Sequence, residues 1–366
     1  MHTRHFTSLA TVLGLLSTAF ANAIPHAEIV PRVEPQDVLS IERQAGGKLS
    51  NAPPPTRLSA AGIVNFQLIA FNENVEVAFF DEIIKNITNR VPGYRYKLPS
   101  RNEGEILEIL KTVKAQEQLH ASTATGALRA FNAPVVPVPC KYNFPSTSLV
   151  SALELAELLT AVVLGTLQDA SQAFAQNGDY GPVRAIASVI GQEGEQDGFY
   201  RYILNRMPSQ KPFLTTSTAA FAWSVLQSFV VSCPFDVSKI PIPVFPALNV
   251  LTTAKARDMY LTFSAKVPYT PGEGTPLFVT YLVGLQNPVS EPIVNPRCEG
   301  GVLTFEALFP FTENVMYGLS IAALTNATGF ADADAVVANT LAAPGLIQVN
   351  KMLRPAKPVF PALDGF

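Results

Sequence analysis

The sequence predicts an α+β multidomain chain, with a four-helix bundle followed by a small β-sandwich-like C-terminal domain. Three observations carry that prediction. Apolar residues recur at helical spacing through four long stretches between about residues 58 and 207. After Cys233 the texture switches to short β-branched and aromatic runs cut by Pro, Gly and Asn. The 30 prolines cluster in the links and the C-terminal half, which argues against a single all-helical body. At 366 residues the chain is long enough for two domains with cores of their own.

Residues 1–23 read as a secretory signal. Arg4 supplies positive charge, residues 9–20 form a short apolar core, and Ala21-Asn22-Ala23 offers small residues at a cleavage point. The apolar run is too short to span a bilayer, and no other stretch reads as a transmembrane anchor. The protein is therefore expected to be secreted. Residues 24–57, with Ala45-Gly46-Gly47-Lys48 and Pro53-Pro54-Pro55, read as a flexible leader or pro-segment outside the fold.

Residues 58–235 carry the bundle. A first helix over about 59–89 stops at Val91-Pro92-Gly93. A second runs over about 100–131, and the extended link 134–139 then suits a long crossover. A third, over about 146–174, stops at Asn177-Gly178, and a fourth covers about 182–207. The glycines inside the fourth are expected to let a neighbour approach closely. A shorter fifth helix, about 217–229, holds Trp223. Residues 236–350 then form the β-rich domain, with strands expected near 260–264, 277–283, 301–305 and 315–321. The stretch 331–343 reads as a short helix or a loop, and the tail 351–366 as irregular.

Net charge is −3 with no Lys/Arg stripe, so no nucleic-acid partner is expected. Asn86 and Asn326 each head an Asn-x-Thr glycosylation triplet. The cysteines are Cys140, Cys233 and Cys298; an oxidising compartment lets two pair and leaves one over, and the sequence does not select the pair.

The chemistry centres on Glu117 and His120. Of the four histidines, His2, His5 and His26 lie in or beside the signal, so His120 is the one imidazole of the expected fold. Three residues apart on a helix, Glu117 and His120 share a face. The neighbouring helices add Glu73, Glu157 and Glu193. Bundles that hold two metal ions use one Glu from each of two helices and Glu-x-x-His from each of the other two. Here Gln196 stands where the second histidine of that scheme belongs. Its amide oxygen can ligate a hard cation, but it is neutral and a poorer donor than imidazole. The expected set is Glu73, Glu117, His120, Glu157, Glu193 and Gln196, holding one or two iron or manganese ions. Glu76 and Glu154, three residues from Glu73 and Glu157, read as supporting or surface carboxylates. An ordinary buried ion pair or a solvated helix face also explains Glu117 and His120. No Gly-x-Ser-x-Gly elbow supports a hydrolase, and no catalytic set is assigned.

The segments Asn72-Glu73-x-x-Glu76-x-x-Phe79-Phe80, Glu117-Gln118-Leu119-His120-Ala121 and Gln192-Glu193-Gly194-Glu195-Gln196-Asp197-Gly198 together resemble a known group. It is the ferritin-like domain of secreted fungal stress-response and late-sexual-development proteins, a domain type shared with plant desiccation-related proteins. The resemblance covers about residues 58–235. It selects Glu193 over Glu195 as the inward carboxylate, and it implies a carboxylate site that takes iron and oxidises it with oxygen elsewhere in the superfamily. Phe80 stands where those helices carry a Tyr, and Gln196 where they carry the second His. These departures also fit a metal-free structural or interaction protein of the cell wall or of a spore or fruiting-body matrix, with the β-rich domain as its working surface.

Overall fold

The leader is not wholly irregular. In the computed structural model, which describes residues 36–95, 103–269 and 276–353, Gln36–Ala45 form helix α1. The helix stops in a glycine cap: Gly46, at φ 77°, and Gly47 donate back to the carbonyls of Arg43 and Glu42. The Glu42 carboxylate then accepts the Leu49 N–H at 3.0 Å. Ten helical residues between Pro35 and a Gly pair are too few to establish a period, so the sequence reading passed over them. The signal expected at 1–23 and residues 354–366 of the tail lie outside the described residues.

The bundle consists of α2 (Ala60–Thr88), α3 (Glu103–Ala130), α4 (Leu149–Gln176) and α5 (Tyr180–Ile203), with α6 (Ala219–Gln227) packed across α2 and α4. Ser59 caps α2 by accepting the Gly62 N–H at 2.9 Å. Ser148 and Ser151 cap α4 reciprocally. The Asn177-Gly178 stop of α4 places Gly178 at φ 75°. By length and composition α4 is apolar enough to cross a membrane, yet most of it is buried by its neighbours. Phe71, Phe79, Phe80, Tyr200 and Trp223 fill the bundle core. The short strands β1 (Lys141–Tyr142) and β2 (Val230–Ser232) pair antiparallel, and the Cys140–Cys233 disulfide joins the links beside them. Cys298 is left free and half-buried.

The glycines in the middle of α5 do not serve close approach as expected: a Cβ on Gly191 or Gly194 would meet no atom within 4 Å, and one on Gly198 would only touch Pro208 at 3.8 Å. Close approach occurs at Gly181 in the first turn, where a Cβ would lie 2.8 Å from Pro55, and at Gly165 of α4, where it would lie 2.2 Å from the Thr215 carbonyl.

The C-terminal region stacks two four-stranded antiparallel sheets. In chain order its strands are β3 (Leu248–Val250), β4 (Met259–Ala265), β5 (Phe278–Leu282), β6 (Val289–Pro292), β7 (Val294–Glu299), β8 (Val302–Phe309), β9 (Gly318–Thr325) and β10 (Thr340–Val349). One sheet runs β10-β9-β5-β6 and the other β3-β4-β8-β7. One face of β9 joins the sandwich core through Ala322 and Leu324, and the other packs on α4 and α6 through Leu319, Ile321 and Ala323. Burial on both faces makes its sequence mostly apolar rather than alternating, with Ser320 and Thr325 its buried polar members. The bundle therefore lies on the outer face of this sheet, within one compact unit. Ala333–Val337 is the short helix expected near 331–343, and β10 follows it. The Ala-Ala-Pro-Gly segment inside β10 hid that strand, because Pro and Gly disfavour strand interiors.

Candidate metal centre

Glu73 of α2, Glu117 and His120 of α3 and Glu193 of α5 converge in the bundle interior. Each offers a ligand atom, and these atoms all lie within 4.8 Å of one another. His120 Nδ1 sits 2.8 Å from Glu117 Oε2, 3.6 Å from Glu73 Oε2 and 3.8 Å from Glu193 Oε1. The three carboxylates are about 1% exposed, whereas the imidazole retains 17%. Helical spacing explains the geometry: i and i+3 put Glu117 and His120 on the face of α3 that meets α2 and α5. Glu195, two residues from Glu193, points outward and is exposed.

Both oxygens of Glu73 and both of Glu193 are buried without a hydrogen-bond partner. Buried charge without a partner is costly, so such groups either neutralise or bind a cation. Burial pushes the Glu73 carboxyl up to about 7 although His120 opposes the shift. Burial, then the neighbouring carboxylates, push Glu193 well above the usual range. Glu76 is also buried and raised by burial and then by Glu117, Glu193 and Glu73; Asn72 donates to it at 2.9 Å. Burial alone would lower His120, but its hydrogen bond with Glu117 and the charge of the nearby Glu73 and Glu117 carboxylates hold it up at about 12. The imidazolium is thus the one cation within this cluster. Three carboxylate oxygens and an imidazole nitrogen form a mixed hard and borderline donor set that suits iron or manganese, and the orphaned oxygens of Glu73 and Glu193 are free to ligate. The residues fit a metal ion.

Two expected ligands are not brought here. Glu157 accepts from Arg201 Nε at 3.2 Å, from Gln348 Nε2 at 2.7 Å and from Arg206. Its charge is met by guanidinium groups, so it is not available as a ligand. Gln196 lies at the edge of the cluster with its amide nitrogen, not its oxygen, toward the acid: Nε2 donates to Glu117 Oε1 at 2.6 Å. Its oxygen accepts from Tyr200 at 3.3 Å. This orientation is the one a carboxylate demands, since two facing oxygens would repel. Gln196 therefore orients Glu117 rather than ligating. The α4 side chains lining the small cavities beside Glu73 and Glu76 are Leu159, Val162, Val163, Thr166 and Leu167, so α4 supplies no carboxylate. One group of four potential ligands is gathered, and among the described residues no second Glu-His pair stands beside it.

Glu76 lies beside the cluster rather than in it, as a buried supporting carboxylate and not a surface one. Its i+3 spacing from Glu73 was the available signal. Glu154 lies at the surface, paired with Arg206. Asn326 is exposed after β9, and Asn86 is half-buried in the last turn of α2.

Comparison with known proteins agrees with this geometry. Residues 59–206, which span α2–α5, match the ferritin-like domain family. The chain is also 25% identical over 159 residues to Protein rds1 of Schizosaccharomyces pombe, a match covering 41% of this chain and 36% of that relative. The match thus spans little more than a third of the relative's length. The chain carries a ferritin-like helical domain followed by an antiparallel β region.

Proposed function

We propose that this is a secreted ferritin-like protein whose bundle holds one iron or manganese ion through Glu73, Glu117, His120 and Glu193. The observation that carries the reading is the convergence of four ligand atoms within 4.8 Å, with the Glu73 and Glu193 oxygens buried and unpartnered. A bound ion of this kind supplies Lewis acidity and, as iron, electron exchange with oxygen or peroxide. The chain's own residues hold the centre in shape. Gln196 fixes Glu117, Asn72 fixes Glu76, and His120 reaches the cluster through Nδ1. Ligation requires His120 and the acids to release their protons, so binding tightens as pH rises. Secretion is supported by the signal-like residues 1–23, by the Cys140–Cys233 disulfide and by the exposed Asn326 triplet. The setting, fungal stress response or sexual development, rests on the resemblance of the helix motifs.

A second reading, a metal-free scaffold with cell-wall or matrix partners, is favoured by the diversion of Glu157 and Gln196 to hydrogen bonds. Thermal melting of chelator-treated protein with added manganese or ferrous ion separates the two. Saturation at about a hundredfold over Kd adds about 2.7 kcal/mol to the wild type. The gain is absent in His120→Ala and Glu193→Ala. A melting point indifferent to both ions supports the scaffold.

A further inference from the structure

A groove between α3 and α5 leads to the metal centre. Thr112, Gln116, Gln192, Glu195, Gln196 and Phe199 line it. Its floor is a chain of amides. Gln192 Nε2 donates to Gln116 Oε1 at 3.0 Å, and Gln196 Nε2 reaches the same oxygen at 3.2 Å and Glu117 at 2.6 Å. Gln116 is held on its other side by the Ala45 carbonyl at 3.4 Å. A single layer of amides thus separates the groove from Glu117.

Packing leaves two features of this layer unexplained. Gln192 Oε1 is buried with no hydrogen-bond partner. Gln192 and Glu193 are also bracketed by Gly191 and Gly194, where a Cβ would meet nothing within 4 Å. Glycine weakens a helix, and no steric reason keeps alanine out of either position. The helix is softened at the turn that carries both the outer amide and a ligand carboxylate.

We propose that the groove between α3 and α5 is the route by which a divalent cation reaches the centre, with Gln192 and Gln116 as its amide gate. The proposal rests on the single-ion reading above. Opening of the turn at 191–194 swings Gln192 off Gln116 and presents its orphaned carbonyl oxygen, a neutral hard donor, to a cation in the groove. Glu195 on the exposed side adds attraction at the mouth, while the wall residue Glu108 is paired with Lys111 at 2.6 Å. From Gln192 the cation passes Gln116 to Glu117 and Glu193.

The test is the time course of cobalt(II) absorption in the full-length, metal-stripped protein, run beside equilibrium dialysis. In a Gly191→Ala/Gly194→Ala variant, uptake and chelator-driven release both slow by roughly tenfold, the factor that two glycine-to-alanine helix differences carry together. The dissociation constant stays unchanged. Glu195→Gln slows uptake at low salt and not at high salt. Wild-type rates in the double variant, with affinity intact, overturn the gate and leave the single-ion reading standing. No cobalt spectrum in the wild-type protein overturns both.

Discussion

The bundle buries acidic side chains in two places and treats them in opposite ways. At the α4–α5 contact, Glu157 and Asp197 face Arg201, with Arg206 also on Glu157. Among α2, α3 and α5, Glu73, Glu76, Glu117 and Glu193 share one imidazole. The first group is faced by cations built into the chain, although burial still pushes the Asp197 carboxyl up to about 7 against the pull of Arg201. The second has more acid than built-in cation, and its unpartnered oxygens point inward. The contrast teaches that burial of a carboxylate is not by itself a sign of a ligand. What separates a structural acid from a ligating one is whether the fold supplies its counter-charge.

The largest way to break this comparison is at the arginine. Arg201→Leu leaves Glu157 and Asp197 buried with their main counter-charge gone, and a buried charge stripped of its partner costs ~3–5 kcal/mol. Urea unfolding at neutral pH measures it, and a loss under ~1 kcal/mol would show that Arg206 alone suffices.

A smaller effect sharpens the other side. In the metal-free protein the Glu73 carboxyl titrates at about 7 against an ordinary value of 4.5. Between those pH values the folded state binds more protons than the unfolded state, so stability falls as pH rises. The contribution is fully present below the unfolded value and lost through about 7, on the order of 3 kcal/mol in all. His120, held at about 12, keeps its charge throughout that window and adds no slope there beyond the ordinary titration of the unfolded imidazole. Glu73→Gln removes the Glu73 part of the slope and makes the metal-free protein more stable at pH 7.5, by ~1 kcal/mol. The sign is opposite to that of Arg201→Leu. Denaturant midpoints at pH 5 and 7.5 test it, and an unchanged slope in Glu73→Gln would place the coupled proton on Glu193 or Glu76.

The same contrast marks how far the sequence could be read. Glu117 and His120 were legible from helical spacing, which puts them on one face, and Glu73 from the pattern of one Glu per helix; Glu193 was picked over Glu195 only by the resemblance of the helix motifs. Glu157 was assigned by completing a one-Glu-per-helix pattern. Nothing local to α4 announces that two arginines from the end of α5 and the turn after it will fold onto it. Gln196 was expected as a ligand, but which end of an amide faces an acid depends on the partner, and only the assembled bundle supplies Glu117. Four strands were visible by their β-branched or aromatic texture, at β4, β5, β8 and β9, whereas the short β3, the Pro-bearing β6 and β7, the Pro-Gly-bearing β10 and the short α1 were not. The burial of β9 on both faces was not read from the sequence, which predicted only a strand near 315–321; the apolar run 321–324 takes its meaning once the bundle is seen to cover the second face.

The account's central claim is that one ion, not two and not none, belongs in this bundle. Elemental analysis of protein purified without chelators and then reconstituted tests it most directly, with Gln196→His beside the wild type. About one equivalent of iron or manganese is expected in both, because restoring an imidazole cannot free Glu157 from its arginines. Two equivalents in the wild type, or less than about a tenth of one after reconstitution, would contradict the account.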